Sequence, residues 1–446
     1  MITIFSKINF NHIKIFELIT LFLLILFFHK NISNVGGTGS GLFLLLMFFS
    51  LNFSLRFYQG IKYGLIIKIH LFIFLLFISW IALRIILDLG DIEHLKQVTI
   101  ATTSGIILFF LMGSFLRVSL NYLLISRGGF SIYYISLISI FCFMCYTNYS
   151  LFERLERNDV FLIEGLNSGY QRAGNFLIIN YIIFSFFYVS LLSKDNIVNL
   201  FKILFIIFIY SSGSFLSLIS SQMIGSNAAT ANILAIYLMT MVVSFLGFNR
   251  KIRSIFREKG IVFSLHKLII SKGIKFSFFL LLVLIFLGFV FVSTSGFDIN
   301  KTRILGFGEY ENNSISSRID IIKRTGLEQM GYSPILGDIN VAYLTTGDAG
   351  LTLHNFLPNI ISELGVVGIV FFSIFLFFIF TDLIKNLNFS IIRVLDFNKY
   401  IINLWLIAVI VFFLVYANFS VGKEWSVIWF YLGFVVSSFY VKRINC

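Results

Sequence analysis

The sequence predicts an all-α polytopic membrane protein, with about 12 transmembrane helices and one long loop outside the bilayer. Three observations predict it. Hydrophobic residues make up 58% of the 446 positions and charged residues only 12%, whereas a soluble domain carries roughly 25% charge. Phe alone occupies 57 positions. The apolar residues also fall into runs of about 20, the length a helix needs to cross the hydrocarbon core. A soluble core has no room for that much apolar surface. The composition therefore excludes a soluble enzyme, a disordered chain and a disulfide-stapled secreted module.

Twelve runs qualify as spans: 13–28, 35–55, 64–87, 98–120, 129–149, 173–193, 197–221, 226–248, 276–297, 359–381, 401–417 and 425–440. Residues 1–446 thus read as a single integral membrane domain. The first apolar run, Ile15–Phe28, has no small-residue cleavage site behind it and reads as a retained span. Only Gln222–Gly225 separates 197–221 from 226–248. The chain shows no internal repeat.

Lys and Arg concentrate in alternate connections, and the acids lean toward the opposite set. By the positive-inside rule this puts both termini in the cytoplasm. The basic run from Arg250 to Lys275 fills the cytoplasmic loop 249–275, so the net charge of +13 reads as a membrane-surface anchor and not as a nucleic-acid site. Lys68, Arg84 and Lys202 lie within spans. Two outer segments remain, a loop at 150–172 and a large loop at 298–358 that holds both prolines, Pro334 and Pro358. Long structured loops are usually functional.

Cys142 and Cys145 sit in an apolar run and Cys446 ends the chain. Three cysteines are too few for a disulfide framework or for a zinc site of about four ligands, so membrane packing is their expected role. In the large loop, Ser316–Met330 reads as an amphipathic helix with Ile315, Ile319, Ile322 and Met330 on one face and Ser316 or Ser317 as cap. Such a helix would lie at the outer membrane-water boundary and bring chemistry to the level of lipid headgroups.

Of six histidines, only His354 lies in that loop. A neutral imidazole can take a proton from a hydroxyl near neutral pH, and Asn355 beside it can orient the ring or a substrate. A lone loop histidine also reads as a solvated bystander. Arg318 has no acidic residue three or four positions away, whereas Arg324 has Asp320 and Glu328 and reads as a helix-surface ion pair. Arg172, where an outer loop enters a span, is equally without acidic neighbours at helical spacing. Guanidinium groups without acidic neighbours at helical spacing suit bidentate binding of a diphosphate, with an anchor to lipid phosphate as the alternative. Arg154 opens an R-x10-G spacing that ends at Gly165. Glu363 lies one turn into a span, where ionisable residues are costly and often functional; it could orient His354 or Arg318, or pack against another polar group.

His354-Asn355 followed nine residues later by Gly365-Val366-Val367-Gly368 resembles the histidine motif of the O-antigen ligase family, whose fold is shared with O-antigen polymerases of the Wzy type. Arg318 and then Pro334-Ile335-Leu336-Gly337 look like that family's arginine and P-x-x-G stretch, although the usual second glycine is replaced by Asp338-Ile339. The resemblance covers roughly residues 210–381. It implies a glycosyltransferase of the bacterial inner membrane that uses undecaprenyl-diphosphate-linked glycans as donor and acceptor. His354 and Arg318 would then be catalytic, and Arg172, Asn355, Arg154 and Glu363 would bind substrate. It also implies lipopolysaccharide biosynthesis and a chain-length regulator protein as partner. No cofactor, metal or nucleic acid is expected. The chain has neither a P-loop nor a D-x-D pair for a metal-bound nucleotide sugar, so the energy for transfer would reside in the diphosphate leaving group. The first expectation is a polymerase joining repeat units, the second a ligase delivering polymer to lipid A core. A flippase or transporter comes third, because transporters place charge at the midplane and show repeat symmetry.

Overall fold

In lipid a backbone can satisfy its own polar groups only as a helix or a closed barrel. Every regular element among the described residues is helical. The computed structural model describes residues 22–30, 32, 69–88, 93–125, 129–156, 169–193, 200–259, 321–348, 351–392, 397–420, 422–423 and 425–437.

Seven helices are long and apolar enough to cross a membrane: Ile69–Asp88, Ile132–Glu153, Gln171–Leu192, Phe205–Met223, Asn227–Ser244, Phe356–Leu387 and Tyr400–Asn418. Thr103–Val118 and Ser426–Val436 are shorter apolar helices. The protein is thus polytopic, and each of these nine helices overlaps an expected span. The expected spans at 35–55 and 276–297 lie outside the described residues.

The chain divides into two compact units, one of residues 1–50, 122–311 and 386–406, the other of residues 51–121, 312–385 and 407–446. In the order used below, α1 is Ile69–Asp88, α2 Glu93–Ile125, α3 Gly129–Glu156, α4 Gly169–Ser193, α5 Leu200–Met223 and α6 Asn227–Lys259. A π turn at Ile322–Gly326 leads into α7, Leu327–Tyr332. Then come α8 (Val341–Thr346), α9 (Phe356–Ile392), α10 (Phe397–Ser420) and α11 (Ser426–Val436).

In the first unit α4 is the central helix and packs against α3, α5 and α6. It is largely apolar around its circumference, as a helix enclosed by others should be, and every residue from Phe176 to Val189 is buried, Asn180 and Ser185 included. Its polar side chains meet neutral hydroxyls. Tyr181 Oη donates to Tyr210 Oη at 3.0 Å and lies 2.7 Å from Ser214 Oγ. Ser185 Oγ lies 3.0 Å from Tyr210 Oη, and the Tyr188 and Tyr210 rings stack at 3.9 Å. Trp405 Nε1 donates to Thr240 Oγ1 at 2.9 Å. Hydroxyl pairs of this kind join helices where the surroundings offer no hydrophobic drive. Cys142 and Cys145 are free, exposed thiols on α3.

In the second unit α2 and α11 approach until backbone touches backbone. A Cβ on Gly113 would meet the carbonyl of Phe430, and one on Gly433 the carbonyl of Phe110. Ser114 Oγ donates to Gly433 O at 3.1 Å beside this contact. Small residues permit such close crossings in membranes. Phe74 stacks on Phe110 at 3.8 Å, and Phe77 lies 5.7 Å from Trp429, which ties α1 to both helices.

Within the loop expected at 298–358, helix is present from Ile321 onward; Ile315, Ser316, Ser317 and Ile319 lie outside the described residues. The described part opens as a π turn and ends at Tyr332, not Met330. Its fully buried side chain is Gln329, whose amide donates to the Leu351 carbonyl at 3.0 Å. Met330, placed by periodicity on the inner face, is only half-buried. A polar side chain with a backbone partner takes the inner position that apolar spacing assigned to Met.

Candidate functional site

Helix α9 is apolar on both sides of Gly365, but it is broken there: Gly365 has φ 66° and ψ −169°. A break leaves carbonyls before it and N–H groups after it without helical partners. The chain supplies these partners from the P-x-x-G stretch. Val366 N donates to Pro334 O at 2.9 Å and Val367 N to Ile335 O at 3.3 Å, while Asp338 N donates to Ser362 O at 3.1 Å. The turn itself closes through Gly337 N to Ser333 O at 2.7 Å.

Both glycines are required. Gly337 has φ 75°, and a Cβ on it would collide with the backbone of Glu363 and Leu364. A Cβ on Gly365 would collide with the backbone of Ile335 and Gly337. Left-handed φ and close backbone approach are the two conditions that only glycine meets without strain. The P-x-x-G and G-x-x-G stretches, far apart in sequence, thus form one backbone-paired unit.

Helix α1 clamps this unit with three residues at i, i+4 and i+8, which share a face. Trp80 Nε1 donates to the Leu364 carbonyl at 2.9 Å, just before the break. Arg84 is buried, pairs with Asp88, and donates through Nη2 to Gly337 O at 2.6 Å. Asp88 Oδ2 accepts from Ile339 N at 3.1 Å, and the Asp88 carbonyl accepts from Asn340 Nδ2. Asp338 lies beside this cluster. Burial, together with the nearby Asp88 carboxylate, pushes its carboxyl above the usual range, against the opposing pull of the Asn340 N–H and Arg84.

The first half of α9 is held at its other end too. Asn418 Oδ1 accepts from Leu357 N at 3.0 Å, and Asn355 Nδ2 donates to the Asn418 carbonyl at 2.6 Å. The Asn418 side chain thereby caps the helix that follows His354. One turn further in, Glu363 forms a buried ion pair with Lys423. Asn359 completes the arrangement: its Nδ2 donates to Glu363 Oε1 at 2.5 Å and its Oδ1 accepts from Lys423 N at 3.1 Å. Trp429 Nε1 donates to the Lys423 carbonyl. A buried charge pair requires partners of this kind on its remaining donors and acceptors.

His354, Asn355 and Glu363 all lie in or immediately before the first half of α9, where Asn355 is held by Asn418 and Glu363 by Lys423 and Asn359. His354 is partly exposed, whereas Asn355 and Glu363 are buried. Asn355 Oδ1 is a buried acceptor without a protein partner; such a group is costly unless something donates to it. Glu363 is engaged by Lys423 and Asn359. Arg318 lies outside the described residues. Arg172 is exposed in the first turn of α4, and Arg154 lies in the last turn of α3. Both belong to the first unit, His354 to the second.

Sequence reasoning missed Trp80, Arg84, Asp88, Asn418 and Lys423. Arg84 entered it only as a charge inside a span, yet a charged residue at that depth, with an acid four positions on, already signals a buried pair. Lys423 carried no local signal, since Glu363 lies 60 positions away. Among the described residues no group of three or more His, Cys, Asp or Glu gathers as metal ligands. Comparison with protein-family models, curated proteins and solved structures gives no match.

Proposed function

We propose that this chain is an O-antigen polymerase, a glycosyltransferase with about 12 spans in a bacterial inner membrane. Both termini face the cytoplasm, and the large loop faces the periplasm. It joins undecaprenyl-diphosphate-linked repeat units. His354 takes the proton from an acceptor sugar hydroxyl as that oxygen bonds to the anomeric carbon of the donor. The bond from that carbon to the diphosphate breaks, and undecaprenyl diphosphate leaves with the electron pair. Arg318 stabilises the charge on the leaving group. Asn355 Oδ1 accepts a hydrogen bond from the sugar. Glu363, held by Lys423, fixes the half-helix that follows the base. Arg172 and Arg154 contact phosphate at headgroup level.

The observation that supports this reading is the pairing of the P-x-x-G turn with the break at Gly365. Two stretches that carry the resemblance, Pro334–Gly337 and the glycines that follow His354, are paired through their backbones. The fragment His354-Asn355 with its spaced glycines is also the ligase motif, so transfer of polymer to lipid A core is the second reading.

Deleting the gene and examining the surface polysaccharide separates the readings. Core bearing a single repeat identifies a polymerase. Core bearing none, with lipid-linked polymer accumulating outside, identifies a ligase. Unchanged polysaccharide overturns both.

A further inference from the structure

In the described part of the large loop Ile339, Val341 and Ala342 are buried, but several large apolar side chains face outward. Leu327 is 82% exposed and Ile335 66%. Leu336, Tyr332, Tyr343 and Leu344 are exposed as well. The polar Gln329 and Asn340 are buried, each donating to a backbone carbonyl. Large apolar side chains exposed together in one loop mark an interaction surface.

Three observations identify what covers it. The loop is fixed at the level of a span end, because Ile339 N and Asn340 Nδ2 bond to Asp88, the last residue of the candidate span Ile69–Asp88. Two of the exposed side chains are tyrosines, whose apolar ring and polar tip suit the boundary between hydrocarbon and headgroups. Exposed Lys323 and Arg324 stand one turn before Leu327, so cations flank the apolar surface as they do in segments that lie on anionic bilayers.

We propose that the Leu327–Leu344 surface is a membrane-docking rim. Leu327, Ile335 and Leu336 enter the outer headgroup-acyl boundary, and Lys323 and Arg324 meet anionic lipid phosphate. The face differs from the one that apolar periodicity selects, since Ile322 and Met330 are half-buried. The rim keeps the Pro334–Gly337 turn at the membrane surface, whatever the reaction performed there.

The test uses the full-length protein in vesicles containing anionic lipid, with Cys142, Cys145 and Cys446 replaced by Ser. An environment-sensitive fluorophore is attached in turn to Ile335→Cys, Leu327→Cys and Asp348→Cys, and quenched by nitroxide-bearing lipid or by aqueous iodide. The probes at 335 and 327 should lose most of their emission to the shallow nitroxide and little to iodide, and the probe at 348 the reverse. Adding Lys323→Glu and Arg324→Glu should reduce nitroxide quenching at 327. Iodide quenching at 335 and 327 would overturn the proposal by placing the rim in water. Protection from both quenchers would overturn it by placing another protein there. Unchanged quenching after the double charge reversal would overturn the assignment of the two cations to lipid phosphate.

Discussion

The two units bury polar groups in opposite ways. In the first, Tyr181, Ser185, Tyr210 and Ser214 form a neutral hydroxyl network between unbroken helices. In the second, Arg84 and Asp88 are charged and bond to a carbonyl and an N–H of irregular backbone, while the charged side chains of Glu363 and Lys423 pair with each other. Regular helices satisfy their own backbone and need only weak side-chain links. A broken helix at membrane depth must have its freed groups satisfied by neighbours, and charged donors and acceptors do this most strongly. Costly buried charge has accumulated around the break that follows the candidate base, and not in the tyrosine network.

Thermal unfolding of single variants should differ between the two units. The largest loss is expected for Lys423→Ala, which leaves Glu363 buried without its countercharge and should cost about 3–5 kcal/mol. The combined Lys423→Met and Glu363→Gln change should recover most of it, as judged by thermal unfolding in detergent. A single variant as stable as wild type would remove the pair from the fold's support. Gly365→Ala comes next, at about 2–4 kcal/mol from left-handed strain and overpacking together. An ordinary melting profile for that protein would mean that the break is not enforced by glycine.

Tyr210→Phe deletes the hub of the hydroxyl network, yet should cost only about 1 kcal/mol, since interhelical hydrogen bonds in membranes are individually weak. A cost equal to that of Lys423→Ala would abolish the distinction between the units. The smallest effect belongs to Asp338. A carboxyl raised in the folded state binds its proton more tightly there, so its stabilisation is fully present below the usual carboxylate range and is lost as pH rises through the raised value. Asp338→Asn keeps the oxygen that accepts from Asn340 N at 2.8 Å and removes the ionisation. Its melting temperature should match wild type in acid and equal or slightly exceed it at neutral pH. A lower value at neutral pH would contradict the burial argument.

Much of the helical frame was legible in composition and run length. Ile69–Asp88 against the expected 64–87, and Tyr400–Asn418 against 401–417, differ by a few residues at most. Hydropathy failed at Gly365, because α9 is apolar on both sides of the break and the signal reads straight through. The break exists only through long-range partners, Pro334, Ile335 and Trp80, which no local pattern reveals. For the candidate site, His354, Asn355 and Glu363 were legible as unusual residue types in an apolar chain. Lys423 and Asn418 were not, since each acts on residues about 60 positions away. Arg84 was visible as a charge within a span, but its target, the Gly337 carbonyl, is backbone.

On the proposed function, the broken-helix region carries the chemistry while the tyrosine network supplies packing. This division is tested most directly with purified full-length protein in lipid, given undecaprenyl-diphosphate-linked donor and acceptor repeats, with chain length followed on a gel. His354→Ala should slow elongation by about 10²–10⁴ with its melting temperature unchanged, and Tyr210→Phe should elongate within a few-fold of wild type. Wild-type elongation by His354→Ala, or an equal loss in Tyr210→Phe, would contradict it.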